Sequence, residues 1–309
     1  MKWDFNNVAI IGSGAIGLYY GGRLAEAGID VRFLARSDYD HLSKFGLKVE
    51  SIAGNFYLPN ISVYNKSEDI GPVDLVIVAW KATANDALAC VLPPLMHANT
   101  QVLTLQNGLG NCERIAEIVD TDQIYGGLCF VCINRIAHGT IRHSAGGRMT
   151  IGKFLNGDSD IVETIAQRFK AANIPATAVN DLAKAQWEKL IWNIPFNGLA
   201  VAEGGVTTDV LLANPIIETE ICTLMQEVIT AATAQGILLD QSLIESNIER
   251  TRPMGPYQPS TMIDFIEGRE LELGPIWQEP LRRAIAAGVE MPALEKLLAK
   301  IQAQLANRT

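Results

Sequence analysis

Residues 10–17 read IIGSGAIG, and the reading of this stretch decides the fold. It sets Gly12, Gly14 and Gly17 in the spacing G-x-G-x-x-G. The run before it, NVAII (7–11), reads as a strand, and GAIGLYYGGRLAEAG (14–28) reads as a helix stopped by Gly28. A glycine triplet between a strand and a helix is the context a dinucleotide fingerprint requires. The first glycine permits the tight turn. The second lets a diphosphate approach the backbone, and the third lets helix and strand pack closely. Free N–H groups at the helix N-terminus complement the anion. Ser13, Ala15 and Ile16 complete the turn and are expected to hold the cofactor with the glycines. The bland alternative is a glycine-rich turn without a ligand.

Outward from the loop, short apolar runs alternate with helical patterns. DVRFLA (30–35) reads as a second strand, and the continuous apolar runs DLVIVAW (74–80) and QVLTLQ (101–106) suit parallel strands buried on both faces, with helical patterns near 83–96 and 109–118. Such alternation indicates βαβ units. IYGGLCFVCINRI (124–136) and TIRHSAGGRMTIGKF (140–154) read as consecutive strands, and IVETIAQRFKAANI (161–174) as an amphipathic helix. After about residue 180 strand signals stop. Asn214-Pro215 caps and opens a long helix that Gly236 ends, and further helices fit 240–250, 260–267, 275–287 and 292–306. The expected architecture is an α/β Rossmann-type N-terminal domain, residues 1–180, followed by a mostly α-helical C-terminal domain, residues 181–309.

Composition narrows the function classes. Hydrophobic residues make up 48% and charged residues 19%, ordinary for a globular protein with a filled core. A net charge of −9 argues against non-specific nucleic-acid binding. Without an apolar run of roughly 18–20 residues, no membrane span is expected, and the start MKWDFNN is not that of a signal peptide. A cytoplasmic location is the resulting expectation. The five cysteines are irregularly spaced, Cys129 and Cys132 lie in an apolar strand-like run, and the four histidines lack metal-ligand spacing. No metal site is expected.

The choice of dinucleotide turns on the end of the second strand. An acid there takes a ribose 2′-hydroxyl, but FLARS offers Arg36. Lys81 follows DLVIVAW at another carboxyl end. Two cations favour a 2′-phosphate, hence NADPH. Asn107, in Gln106-Asn107-Gly108 after the next strand, is a candidate for the cofactor ribose or the substrate, with a plain Asn-Gly turn as the alternative.

Two polar constellations stand out in the second half. WEKLIWNIPFN (187–197) carries Lys189, Asn193 and Asn197 every fourth residue, on one helix face, among tryptophan and isoleucine. A solvated face is the alternative reading. Pro195 removes the bond to the carbonyl of Ile191, so a kink is expected near 191–195. PSTMIDFIEGRELELG (259–274) places Ser260 four residues before Asp264, with Glu272 beyond Gly268.

Glycine loop, Arg36, Lys81, Asn107, the K-x3-N-x3-N stripe and the Ser260/Glu272 pair, in this order, resemble the ketopantoate reductase (2-dehydropantoate 2-reductase) family over essentially the whole chain. The resemblance implies an active site in the cleft between a Rossmann and a helical domain. It implies NADPH at the glycine loop, with Arg36 and Lys81 near the 2′-phosphate and Asn107 by cofactor and substrate. Lys189 would be the general acid. Asn193, Asn197 and Ser260 would bind the substrate, and Glu272 would accept from its hydroxyl. The implied reaction reduces 2-dehydropantoate to pantoate in pantothenate biosynthesis. The chain departs from the family pattern in Leu271-Glu272-Leu273-Gly274, where Thr-Glu-Ile-Asp is common, and in Trp277-Gln278 for Asn-Gly. Pro195 stands between the two asparagines and not after the second.

Gly274 and Trp277 motivate an alternative, a reductase of a bulkier or more apolar 2-keto acid. A non-catalytic NADP-binding sensor is a different class, and opine-type or 6-phosphogluconate-type dehydrogenases share the two-domain plan. Apolar faces on 275–306 could pack on the first domain or on a second copy, so a homodimer stays open.

Overall fold

In the computed structural model of the chain, the structure describes residues 3–155, 157 and 159–308. The outermost residues of the two expected domains, Met1 and Thr309, lie outside that set. The chain divides into two compact units. One comprises Met1–Gln106 and Asn111–Leu182, the other Asn107–Gly110 and Ala183–Thr309.

The first unit is built on a sheet of ten strands among the described residues. These are β1 (Asn7–Ile11), β2 (Asp30–Leu34), β3 (Leu47–Ser51), β4 (Phe56–Leu58), β5 (Ser62–Tyr64), β6 (Leu75–Val78), β7 (Gln101–Thr104), β8 (Ile124–Ala137), β9 (Thr140–Lys153) and β10 (Ala176–Val179). Their order is β4-β3-β9-β8-β7-β6-β1-β2-β5, with β10 paired to β9. From β5 to β8 every pairing is parallel, and β8–β9 is a long antiparallel hairpin. Strands β6 and β7 are buried along their whole length, as their unbroken apolar runs require. The chain leaves β1 in one direction for β2 and returns on its other side for β6, so the strand order reverses at β1. In open α/β sheets ligands bind beyond the carboxyl ends of the strands at this reversal.

Helices α1 (Ala15–Glu26), α2 (Tyr39–Phe45), α3 (Leu88–Val91), α4 (Asn111–Ala116) and α5 (Asp160–Ala171) accompany the sheet. Ser159 caps α5 by accepting from the Val162 N–H. The helical pattern near 83–96 is not one helix. It is a 3₁₀ segment (Ala82–Ala87), the single α-turn of α3 and a second 3₁₀ turn at Pro93–Leu95. Pro93 and Pro94 cannot donate to a continuous ladder.

The second unit is helical: α6 (Leu182–Ala202, entering from the first unit's last residue), α7 (Thr208–Ala213), α8 (Pro215–Ala234), α9 (Ser242–Thr251), α10 (Ser260–Ile266), α11 (Glu279–Ala286) and α12 (Pro292–Ala306). Asn214 accepts from the Ile216 N–H and Pro215 takes the first turn of α8, the cap expected from sequence. The apolar flanks of α6 (Trp187, Leu190, Ile191, Ile194, Phe196) share one core with Leu224, Met225 and Val228 of α8 and Leu294, Leu297 and Ile301 of α12. Pro195 does not break α6, which stays one helix of 21 residues. Two carbonyls close to it receive side-chain donors: Asn197 Nδ2 at Asn193 O (3.1 Å) and Trp277 Nε1 at Ile194 O (3.0 Å). A five-residue π-helical turn, Gly274–Gln278, leads into α11. No helix among the described residues is long and apolar enough to cross a membrane.

Candidate active site

The glycine loop has the shape a diphosphate needs. Gly12 adopts φ +108°, and a Cβ there would meet the Trp80 backbone nitrogen at 2.7 Å. A Cβ on Gly17 would meet the Gly12 carbonyl oxygen at 2.1 Å. At Gly14 a Cβ would meet nothing within 4 Å, so the loop is open on that side. Gly14 precedes α1, whose first turn has neither a side-chain cap nor an acidic residue. The first N–H groups of α1 are therefore left for an anion, with no carboxylate in that turn to repel it. These residues fit a dinucleotide. Ser13 is buried, while Ala15 and Ile16 are half-buried in the turn.

Arg36 and Lys81 stand on opposite sides of this loop. Arg36 is exposed just past β2, and Lys81 is half-buried just past β6. Since β1 separates those strands, their ends lie roughly 10 Å apart at ordinary strand spacing. The end of β2 is the ribose position of this fold. Arg36 thus occupies it, and Lys81 flanks the loop from the other side.

In the second unit, Lys189 Nζ donates to Asn107 Oδ1 at 2.7 Å. Residues 107–110 belong to that unit although only Leu105 and Gln106 separate them from β7. Gly108, at φ +84°, lies so close to Pro275 that a Cβ would meet the Pro275 carbonyl oxygen at 2.2 Å. The same carbonyl accepts from the Leu109 N–H at 2.9 Å, and Leu109 is buried in the helical core. Gly110 packs against the Glu279 side chain. Burial alone would raise the Glu279 carboxyl, but hydrogen bonds from Arg282 and Arg283 hold it below the ordinary range.

The rest of the stripe divides by burial and partners. Asn193 is 7% exposed, and its amide has no hydrogen-bond partner among the described residues. Neither atom of that amide is among the fully buried unpartnered ones, so the amide is open enough for a ligand or water to meet it. Asn197 is 2% exposed and fully engaged. Its Oδ1 accepts from the Thr261 N–H at 3.1 Å and from Ser260 Oγ at 3.5 Å, and its Nδ2 donates to Asn193 O. Asn197 therefore holds the N-terminus of α10, the turn that presents the exposed Ser260. Replacing Asn197 with alanine is expected to destabilise the protein by about 1–3 kcal/mol, since the buried Thr261 N–H loses its acceptor. An unchanged urea midpoint would rule this out. Glu272 is half-buried between α10 and the π-helical turn. Trp277 is fully buried, and its indole is spent on Ile194 O.

A network of amides, not anticipated from sequence, secures both ends of the Asn107 loop. Gln106 Nε2 donates to Asn85 Oδ1 (2.7 Å) and to Trp80 O (3.2 Å). Trp80 Nε1 donates to the same Asn85 oxygen (3.1 Å), and Asn85 Nδ2 donates to Asn111 Oδ1 (3.1 Å). Gln106 immediately precedes the loop and Asn111 immediately follows it. Isolated amides at 85 and 111 carry no periodic signal, so only the fold relates them.

Comparison with known proteins accords with this geometry. The family described as "Ketopantoate reductase PanE/ApbA" matches residues 8–156, and its C-terminal counterpart matches 181–305. The chain belongs to the ketopantoate reductase family. Members of this family are nicotinamide-dependent oxidoreductases. A Nostoc protein named 2-dehydropantoate 2-reductase is 41% identical over 94% of this chain and 92% of its own length. The crystal structure of 2-dehydropantoate 2-reductase from Geobacter metallireducens superposes with a TM-score of 0.94 at 41% identity, covering 96% of this chain and 99% of that one. The Methylococcus capsulatus structure of the same name gives a TM-score of 0.90 at 29% identity, with 97% of each chain covered. The family was legible in the residues because the glycine loop and the lysine–asparagine stripe are local patterns.

Proposed function

We propose that this chain reduces 2-dehydropantoate to pantoate with NADPH, as a step of pantothenate biosynthesis. The observation that carries the reading is the 2.7 Å bond from Lys189 to Asn107, beside the unpartnered amide of Asn193 one turn along the same helix. Asn107 directs the ammonium, and a directed ammonium suits a carbonyl oxygen that gains negative charge. When bound at the glycine loop, a reduced nicotinamide supplies the hydride. Lys189 stabilises the alkoxide and gives it a proton. Asn193 and Ser260 bind the substrate's polar groups, and Glu272 accepts from its hydroxyl. Asn197 contributes by holding Ser260 in place. The same reading makes the protein a cytoplasmic enzyme of a small 2-keto acid, with a homodimer as its expected assembly.

Arg36, exposed at the ribose position, supports NADPH over NADH. Lys81 serves the diphosphate or the second ribose from the other side of the loop. Arg36→Ala is expected to raise KM for NADPH by about tenfold or more, the scale of one charge-assisted hydrogen bond. KM for NADH should stay within about twofold. Equal effects on the two cofactors would remove Arg36 from 2′-phosphate recognition.

The second reading is a reductase of a larger 2-keto acid. Gly274 supports it, because a side chain there would have open space, with Gln278 Oε1 nearest at 4.0 Å. Trp277 lends it no support, being buried and hydrogen-bonded within the core. A non-catalytic sensor has no use for a directed lysine. The deciding experiment measures kcat/KM for 2-dehydropantoate, pyruvate, 2-ketoisovalerate and aromatic 2-keto acids with NADPH. 2-Dehydropantoate is expected to lead. If it is turned over no better than pyruvate or 2-ketoisovalerate, the first reading falls; an aromatic acid in the lead favours the second.

A further inference from the structure

Asp38 is the first acidic residue after β2, two positions beyond Arg36. Sheets of this type that bind NAD use an acid in this region to take the ribose 2′-hydroxyl. Asp38 is not available for that purpose. It is fully buried at the start of α2. Its Oδ2 accepts from Arg135 Nη1 at 2.6 Å, and its Oδ1 accepts from His138 Nδ1. Arg135 lies on β8, and His138 lies in the turn between β8 and β9. The far end of the long hairpin thus reaches the β2–α2 connection and occupies both carboxylate oxygens. His41 of α2 lies beside this turn, its ring 6.2 Å from that of His138.

We infer that Arg135 and His138, by sequestering Asp38, set the cofactor preference at the end of β2. The inference rests on the NADPH reading given above. With Asp38 buried and paired, Arg36 is the side chain a ribose substituent meets. A buried carboxylate stripped of both partners is too costly to leave in place, so it turns to solvent. There its charge repels a 2′-phosphate and its oxygens accept from a 2′-hydroxyl. Arg135 and His138 are therefore positioning residues that touch neither substrate nor cofactor. A purely structural staple of hairpin to helix would affect both dinucleotides alike.

The test measures kcat/KM with NADPH and with NADH for the wild type, for Arg135→Leu/His138→Leu, and for the same pair combined with Asp38→Asn. The NADPH-to-NADH ratio is expected to fall at least about tenfold in the double variant, as loss of an ionic preference implies. Asp38→Asn removes the released charge and should return the ratio to within about threefold of wild type. Parallel loss with both cofactors, or a ratio that Asp38→Asn does not restore, overturns the inference while the NADPH reading stands. A wild type that prefers NADH overturns both. Should the double variant show no cooperative thermal transition, Arg135→Leu alone carries the test. A fall of about threefold in the ratio is then expected, and an unchanged ratio overturns the inference.

Discussion

Lys189→Ala is expected to lower kcat by about 10²- to 10³-fold, the usual cost of removing one general acid or one donor to a developing oxyanion. In the proposed mechanism alanine deletes both at once, since the ammonium would stabilise the charge and then protonate it. It also leaves Asn107 Oδ1 without its 2.7 Å donor. NADPH binding should survive, because the glycine loop is formed within the other unit from Gly12, Trp80 and α1. Stopped-flow turnover with 2-dehydropantoate and a fluorescence titration of NADPH separate the two effects. If kcat stays within about threefold of wild type, far short of a general acid's contribution, the lysine has no part in the chemistry. If NADPH affinity collapses together with kcat, the substitution has damaged the fold and the role of the ammonium must be judged from Lys189→Arg.

Gly17→Ala is expected to weaken both the fold and cofactor binding. Its Cβ would stand 2.1 Å from the Gly12 carbonyl oxygen, a backbone atom that cannot swing aside. The loop and α1 must separate, which costs about 1–3 kcal/mol as other over-packed sites do. For a protein of this size each kcal/mol lowers Tm by roughly 2–4 °C. The same displacement moves the first N–H groups of α1 from the diphosphate, so the Kd for NADPH should rise about tenfold or more. A melting curve and a binding isotherm identical to wild type would show that the loop has slack the geometry denies.

The outcomes at particular residues mark where local pattern suffices. A glycine triplet between an apolar run and a helical period is a contiguous signal, strands β1, β6 and β7 follow from mainly apolar runs, and β2 from the short run DVRFLA. The cap and first turn of α8 follow from Asn214-Pro215, whose chemistry acts within three residues. Strands β3, β4, β5 and β10 and helices α2 and α7 went unread, because three to seven residues give no period to count. β4 exists through pairing with β3, and β3 through pairing with β4 and with residues of β9 that lie 92 positions further on. The helix expected near 83–96 failed for another reason. Asn85 spends its amide on Trp80, Gln106 and Asn111, and the two prolines end what is left.

What the sequence by itself determined is therefore the Rossmann–helical order of the chain, the glycine loop, and the candidates Arg36, Lys189, Asn193 and Ser260. Each is readable because periodicity and capping are forces between near neighbours. Which polar groups are engaged by the protein itself was decided only by the tertiary structure. Asn193 and Asn197 are equivalent on a helical wheel, yet one amide is unpartnered and the other holds α10. Trp277 looked like a substrate-facing change and is core, and Asp38, which no local pattern singles out, is taken by Arg135 and His138. Burial and hydrogen-bond partnership depend on residues tens to a hundred positions away, so one segment cannot state them for itself.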